Sequence, residues 1–118
     1  MRHFFIEKPL ISFFDHNENF KTPKIITELK EGKNIVLVSD AGTPTISDPG
    51  YKLVRQCREE GVAVTALPGP CSALNALVLS SAPRERFIFI GYMPKKPGER
   101  NKILCTIKDS GLTAVALE

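Results

Sequence analysis

Three short stretches of this chain gather the residue types that chemistry uses. Asp15-His16-Asn17-Glu18 sets an imidazole among carboxylates. Ser39 to Gly50, SDAGTPTISDPG, joins Asp40 and Asp48 to the hydroxyls of Ser39, Thr43, Thr45 and Ser47. Pro68-Gly69-Pro70-Cys71-Ser72 places a thiol and a hydroxyl after a rigid turn. Each stretch follows an apolar run that reads as a strand. In an open parallel sheet ligands bind outside the carboxyl ends of the strands, so three such loops mark one edge as a site.

The middle loop is longer than the usual two to six residues of such connections, which is itself a functional signal. It contains glycines but is no phosphate cradle, because neither GxGxxG nor GxxxxGK[ST] occurs in the chain. Two carboxylates with no lysine or arginine would repel a phosphate. Hydroxyls, an amine or a positive charge suit the loop better. For Asp48 two readings stand side by side: a cap for the helix that follows, and a ligand group. Pro68-Gly69-Pro70 reads either as a plain turn or as backbone that a ligand can approach closely, since glycine carries no side chain. His16 and Glu18 are candidates for taking up a proton, against the plainer reading of a polar loop turned by Asn17. A metal centre has little support, with no second histidine at helical spacing. Cys71 beside a helix start is a weak nucleophile candidate, because only His3 and His16 could partner it.

The elements that must position these loops alternate. Leu10–Phe14 reads as a strand. Thr22-Pro23 reads as an N-cap with proline at the first helical position, Ile25, Ile26 and Leu29 as that helix's apolar face, and Gly32 as its stop. Ile35–Val38 is an unbroken β-branched run of the kind buried in parallel sheets. Asp48-Pro49 repeats the cap-plus-proline signal ahead of Tyr51, Leu53, Val54 and Cys57. Val62–Leu67 is a further strand, Ser72–Ser80 a third helix, Phe87–Ile90 a strand, Glu99–Lys108 a more polar helix, and Leu112–Leu117 a last strand. Alternation with short connections predicts an α/β fold, a mainly parallel sheet flanked by helices. Pro94-Lys95-Lys96-Pro97-Gly98 breaks both helix and strand and is the linker candidate. It divides the chain into residues 1–93, a linker at 94–98, and 99–118 as the start of a second α/β domain.

With 118 residues, 42% of them hydrophobic, the chain suits one core and is no disordered segment. No apolar run approaches the ~18 residues of a membrane span. Cys57, Cys71 and Cys105 are an odd, widely spaced set that supports neither a disulfide framework nor a zinc site. Reduced thiols and a cytoplasmic setting are expected. Between Arg84 and Lys102 six basic residues face two acidic ones, whereas the chain as a whole has a net charge of only +3. Such a stretch either meets phosphate or forms a solvated face. The start, Met1–Glu7, and the apolar end at Glu118 read as the borders of an excerpt from a longer protein.

Val38-Ser39-Asp40-Ala41-Gly42-Thr43-Pro44, Ile46-Ser47-Asp48-Pro49-Gly50 and Pro68-Gly69-Pro70-Cys71-Ser72-Ala73 closely resemble the tetrapyrrole methylase superfamily. Within it they are similar to the branch that methylates a cytidine ribose 2′-hydroxyl in small-subunit ribosomal RNA. Asp15-His16-Asn17-Glu18 and Gly91-Tyr92-Met93-Pro94, with the basic residues after it, match that branch too. The resemblance runs from about Lys8 to Glu118. It implies an S-adenosyl-L-methionine-dependent methyltransferase of two α/β domains, this chain carrying the core of the N-terminal one. Position by position, Asp40, Ala41, Gly42, Thr43, Pro44 and Ile46 match the loop along the cofactor. Pro68, Gly69, Cys71, Ser72 and Ala73 match a second cofactor-side turn. Lys95, Lys96 and Arg100 would meet the RNA. The family's first strand and its glycine-containing loop find no match here, and most of its second domain is absent.

Methyl transfer to an alcohol is an in-line displacement on a sulfonium, accelerated largely by alignment, with His16 or Glu18 available to take the hydroxyl proton. The expected partners are small-subunit rRNA or the ribosomal subunit, with no membrane, and a second copy in a homodimer that would cover open sheet edges. Two other readings compete: a binding or structural fragment of the same ancestry without turnover, and a methylase of a tetrapyrrole. The basic stretch and the Asp15–Glu18 loop argue against the tetrapyrrole.

Overall fold

The computed structural model describes residues 5–118; His3 and the first part of the Met1–Glu7 segment lie outside them. Six elements follow in order: α1 Asp15–Lys30, α2 Tyr51–Glu59, α3 Ser72–Leu79, β1 Phe87–Tyr92, α4 Pro97–Ser110 and β2 Thr113–Leu117. The fold is α/β, with β1 and β2 paired in parallel. Two compact units divide the chain. The first takes in the chain up to Leu37 together with Asp48–Ala66, the second Val38–Ser47 together with Leu67–Glu118.

The first unit is built on the pairing of α1 and α2. Glu18, Thr22, Ile25 and Ile26 form the buried face of α1, at a spacing that keeps them on one side of a helix. Against Ile25 and Ile26 pack Leu53 and Cys57 of α2, with Phe13, Leu29, Ile35 and Val62 around them. The buried Ile25, Ile26 and Leu53 each contribute about 1.5–3 kcal/mol on leaving water.

The expected start of α1 at Thr22-Pro23 is corrected. The helix begins at Asp15, so Asp15-His16-Asn17-Glu18 is its first turn, and Pro23 sits inside it. Asn17 Oδ1 accepts from the Phe14 N–H at 2.9 Å, while the N–H groups of Asn17 and Glu18 donate to the Phe14 carbonyl. An interior proline costs about 3 kcal/mol. It is tolerated here because extending the helix backward adds Glu18 and Thr22 to the stripe already begun by Ile25, Ile26 and Leu29. Thr22 Oγ1 also donates to the Glu18 carbonyl at 2.7 Å.

In the second unit the parallel ladder runs from Phe87↔Thr113 to Tyr92↔Leu117, with an irregularity between Phe89 and Gly91. Between the strands α4 opens on Pro97, two residues earlier than expected, and stops at Gly111 in the left-handed conformation. Proline at the first position and glycine past the end are the usual punctuation of a helix. α3 places Ala73 and Leu77 inward, as its apolar spacing predicts.

The strands expected at Leu10–Phe14, Ile35–Val38 and Val62–Leu67 are not paired among the described residues. Val36 and Leu67 are largely exposed. A strand is a property of two segments, and a β-branched run without ladder partners cannot satisfy its own N–H and C=O groups in a sheet. No helix among the described residues is long and apolar enough to cross a membrane.

Candidate functional site

The second unit holds the Ser39–Ser47 part of the long loop, the Pro68–Ser72 turn and the end of β1. Ser39 Oγ donates to the carbonyls of Ala41 and Gly42 at 3.2 and 3.3 Å, drawing the start of the long loop into a tight fold. The Ile46 N–H then closes a turn onto the Thr43 carbonyl at 3.3 Å. Thr45 and Ser47 both hold positive φ, 72° and 59°. Left-handed backbone at residues with side chains costs about 1–3 kcal/mol each and clusters at ligand clamps.

This loop meets the Pro68–Ser72 turn through one side chain. Thr43 Oγ1 donates to the Pro70 carbonyl at 3.0 Å. A Cβ at Gly69 would stand a tight 3.1 Å from Thr43 Oγ1; at Gly42 the space is ordinary, 3.8 Å to the Pro70 carbonyl oxygen, and the backbone at φ +76° is what favours glycine. Cys71, half-buried, supplies the extended residue before α3, and its carbonyl accepts from the Asn75 N–H. Ser72 is exposed and Ala73 buried on the first turn of that helix. Asp40, Ala41 and Ile46 are exposed, and Pro44 is half-buried.

The end of β1 adds a contact that the sequence analysis did not predict. Gly91 has φ +72°, at the ladder irregularity, and a Cβ there would lie 3.4 Å from Ser47 Oγ. A bulge next to a binding loop re-aims the chain locally. The signal was available: glycine inside an apolar strand run marks a bulge or a close approach.

His16 and Glu18 belong to the first unit. His16 is exposed and its ring stacks on Phe14, centroids 5.4 Å apart and planes 4° from parallel. Glu18 is 4% exposed. Its Oε1 accepts from the backbone N–H groups of Lys52 at 2.9 Å and Gly50 at 3.1 Å, with a longer contact to Leu53 at 3.4 Å. It is the capping carboxylate of α2, placed where the helix's unpaired N–H groups and positive end favour an acid. The expected cap at Asp48-Pro49 is therefore corrected: α2 begins at Tyr51, its N-cap is Gly50, and the cap comes from another helix. No local rule predicts a cap from a residue 32 positions away.

In the basic stretch, Arg100 braces the backbone. Its Nε donates to the Pro94 carbonyl at 3.3 Å and an Nη to the Lys95 carbonyl at 3.1 Å. Lys96 makes a long pair with Glu99 at 3.5 Å, on exposed side chains, a geometry worth little. Lys95 is exposed. Among the described residues, no three of His, Cys, Asp and Glu come together as a metal site would require.

Residues 3–118 match the family model of the tetrapyrrole (corrin/porphyrin) methylases. The chain is 46% identical over 118 residues to the ribosomal RNA small subunit methyltransferase I of Haemophilus influenzae, covering 42% of that protein. The protein of that name in Escherichia coli O157:H7 is also 46% identical, with 41% of its length covered. A third, in Thermotoga maritima, is 42% identical over 113 residues, or 96% of this chain and half of its own length. The chain thus spans less than half the length of the first two curated relatives. With a match over nearly all its residues, and with Thr43 of the long loop bonded to Pro70 of the turn, the chain belongs to the tetrapyrrole (corrin/porphyrin) methylases.

Proposed function

We propose that this chain carries the cofactor-holding core of an S-adenosyl-L-methionine-dependent methyltransferase acting on small-subunit rRNA, at the ribose 2′-hydroxyl of a cytidine. The observation that carries the reading is the Thr43–Pro70 contact at 3.0 Å, which holds the DAGTP loop against the Pro-Gly-Pro turn. The residues present suit such a cofactor. Asp40 and the loop hydroxyls are acceptors for ribose hydroxyls and an adenine amine, and Gly42 and Gly69 leave backbone space that a Cβ would fill.

When bound, S-adenosylmethionine would supply a methyl group on a sulfonium. The chain's own part is to bind and orient. Asp40, Ala41, Gly42, Thr43, Pro44 and Ile46 form one wall; Pro68, Gly69, Cys71, Ser72 and Ala73 form the other. Orientation of this kind is worth up to about 7–11 kcal/mol of barrier in well-aligned systems. On the first turn of α1, His16 is the proposed proton acceptor, since Glu18 Oε1 is already engaged by the N–H groups of Gly50, Lys52 and Leu53. Lys95 and Lys96 are proposed to meet RNA phosphates, with Arg100 shaping their turn.

The division into residues 1–93, a linker at 94–98 and the opening of a second domain at 99–118 belongs to the same proposal, supported by Pro94 and the two lysines ahead of α4, whose first turn takes up Pro97 and Gly98. So do the rRNA or ribosomal-subunit partner, the homodimer and the cytoplasmic setting, the last supported by three free cysteines. Calorimetry with S-adenosylmethionine, on the wild-type chain and on Asp40→Ala, tests the core of it. Specific binding weakened about tenfold or more in the variant is expected. Equal binding by both would remove the loop from the site.

A further inference from the structure

The outward face of α1 is unusual for a helix bordering solvent. His16, Phe20 and Lys24 recur every fourth residue, on the side opposite the buried Glu18, Thr22, Ile25 and Ile26. Phe20 is 87% exposed and Phe14, stacked on His16, 51%. Two exposed phenyl rings, one of them stacked on an imidazole, leave apolar surface in water that solubility disfavours. Beside Phe20 lies a groove of about 410 Å³, whose other lining includes Leu10, Ile11, Ser12, Lys21 and Lys24. No carboxylate lines it. Lys21 Nζ donates to the carbonyl and hydroxyl of Ser12, while Lys24 makes no ion pair among the described residues.

We infer that this face binds an unpaired stretch of RNA, its bases stacked on Phe20 and on the Phe14–His16 pair and its phosphates met by Lys24. The chemistry selects that occupant. Flat rings with free faces accept any base, and interleaved ammonium groups neutralise the strand's backbone; single-strand binders combine these two features. An apolar protein partner would use the rings but leave both lysines without counter-charge. The rise of a helix spaces His16, Phe20 and Lys24 about 6 Å apart, so the three define a track rather than a single pocket. The inference rests on the RNA reading above and extends it, since that reading assigns RNA phosphate contact only to Lys95 and Lys96.

The chain contains no tryptophan, so Phe20→Trp installs a lone reporter on the track. The probe is a short single-stranded oligocytidylate, with an abasic ribose-phosphate strand of equal length as control. Expected are quenching of the indole by the oligocytidylate alone, and unchanged affinity in Phe20→Trp. Phe20→Leu and Phe14→Leu should each bind oligocytidylate about tenfold more weakly, with the abasic strand unaffected. All three variants alter exposed side chains, and an unchanged melting temperature would show that folding is intact. If both leucine variants bind like wild type while Lys95→Gln with Lys96→Gln lowers a salt-dependent affinity, RNA binding stands and this track falls. Failure of the wild-type chain to bind oligocytidylate in any salt would overturn the track and the RNA reading together. A change of oligomeric state in Phe20→Leu without a change in RNA affinity would reassign the face to self-association.

Discussion

The two units of this chain are held by different physics. In the first, Ile25, Ile26, Leu53 and Cys57 leave solvent together and a buried carboxylate joins one helix to the start of the next. In the second only Ala73 and Leu77 are buried hydrophobics, and the candidate site is shaped by backbone: a threonine hydroxyl on a carbonyl, a glycine whose added Cβ would stand 3.1 Å from that hydroxyl, and two residues held at positive φ. A core tolerates loop variation around it, whereas an added Cβ at Gly69 displaces a bond of the candidate site directly. The residues to change are therefore apolar or capping groups in one unit and glycines in the other.

That contrast can be broken at its strongest point first. Glu18→Ala removes the acceptor of the first N–H groups of α2 in a buried setting, and about 2–3 kcal/mol of stability should go with it. Glu18→Gln keeps an acceptor oxygen and should retain much of that stability; urea midpoints compare the two. Were Glu18→Ala no less stable than wild type, the capping account of the first unit would be wrong.

Gly69→Ala should do little to global stability and much to the site. Its Cβ lies 3.1 Å from Thr43 Oγ1, so either the hydroxyl or the turn must move. About tenfold weaker S-adenosylmethionine binding is expected by calorimetry, an effect near 1.4 kcal/mol. Gly98→Ala, where nothing stands within 4 Å, serves as its neutral counterpart.

Gly91→Ala tests the bulge. The left-handed backbone alone should cost about 1–2 kcal/mol, and contact with Ser47 Oγ at 3.4 Å adds crowding. A thermal melt reads the first effect. Asparagine at the same position, which tolerates this conformation better, should lie between glycine and alanine.

The smallest expected effect belongs to the surface of the first unit. A side-chain hydrogen bond from Lys30, at 2.6 Å, and another from Gln56 hold the Glu60 carboxyl below its usual range. A depressed carboxylate contributes stability above its unfolded pKa and loses it as pH falls through the folded value. The difference in melting temperature between wild type and Lys30→Met should therefore be small at neutral pH, shrink with salt, and vanish as pH drops below the ordinary glutamate range. A difference that grew in acid would contradict the sign.

How much of this was legible beforehand follows from how local each signal is. α3 needed only its own apolar spacing at Ala73 and Leu77, and the α/β alternation, the Pro-Gly-Pro turn and the DAGTP loop could be read residue by residue. α1 was misjudged because Pro23 is a strong local signal, and the stripe that overrides it has value only once α2 packs against it. Glu18 looked like a group for acid–base chemistry; its carboxylate caps α2. The three unpaired strand candidates failed for the same reason, since pattern marks the tendency of one segment and a ladder requires two.

Composition, the three loops, the basic stretch and the family resemblance were determined by the sequence alone, because each depends on residue identity and near spacing. The cap of α2, the join of Thr43 to Pro70 and the approach of Ser47 to Gly91 were decided by tertiary structure. Each is a contact between residues 27 or more positions apart. Hydrogen bonds and close packing act over a few ångströms in space, a distance that chain position does not encode.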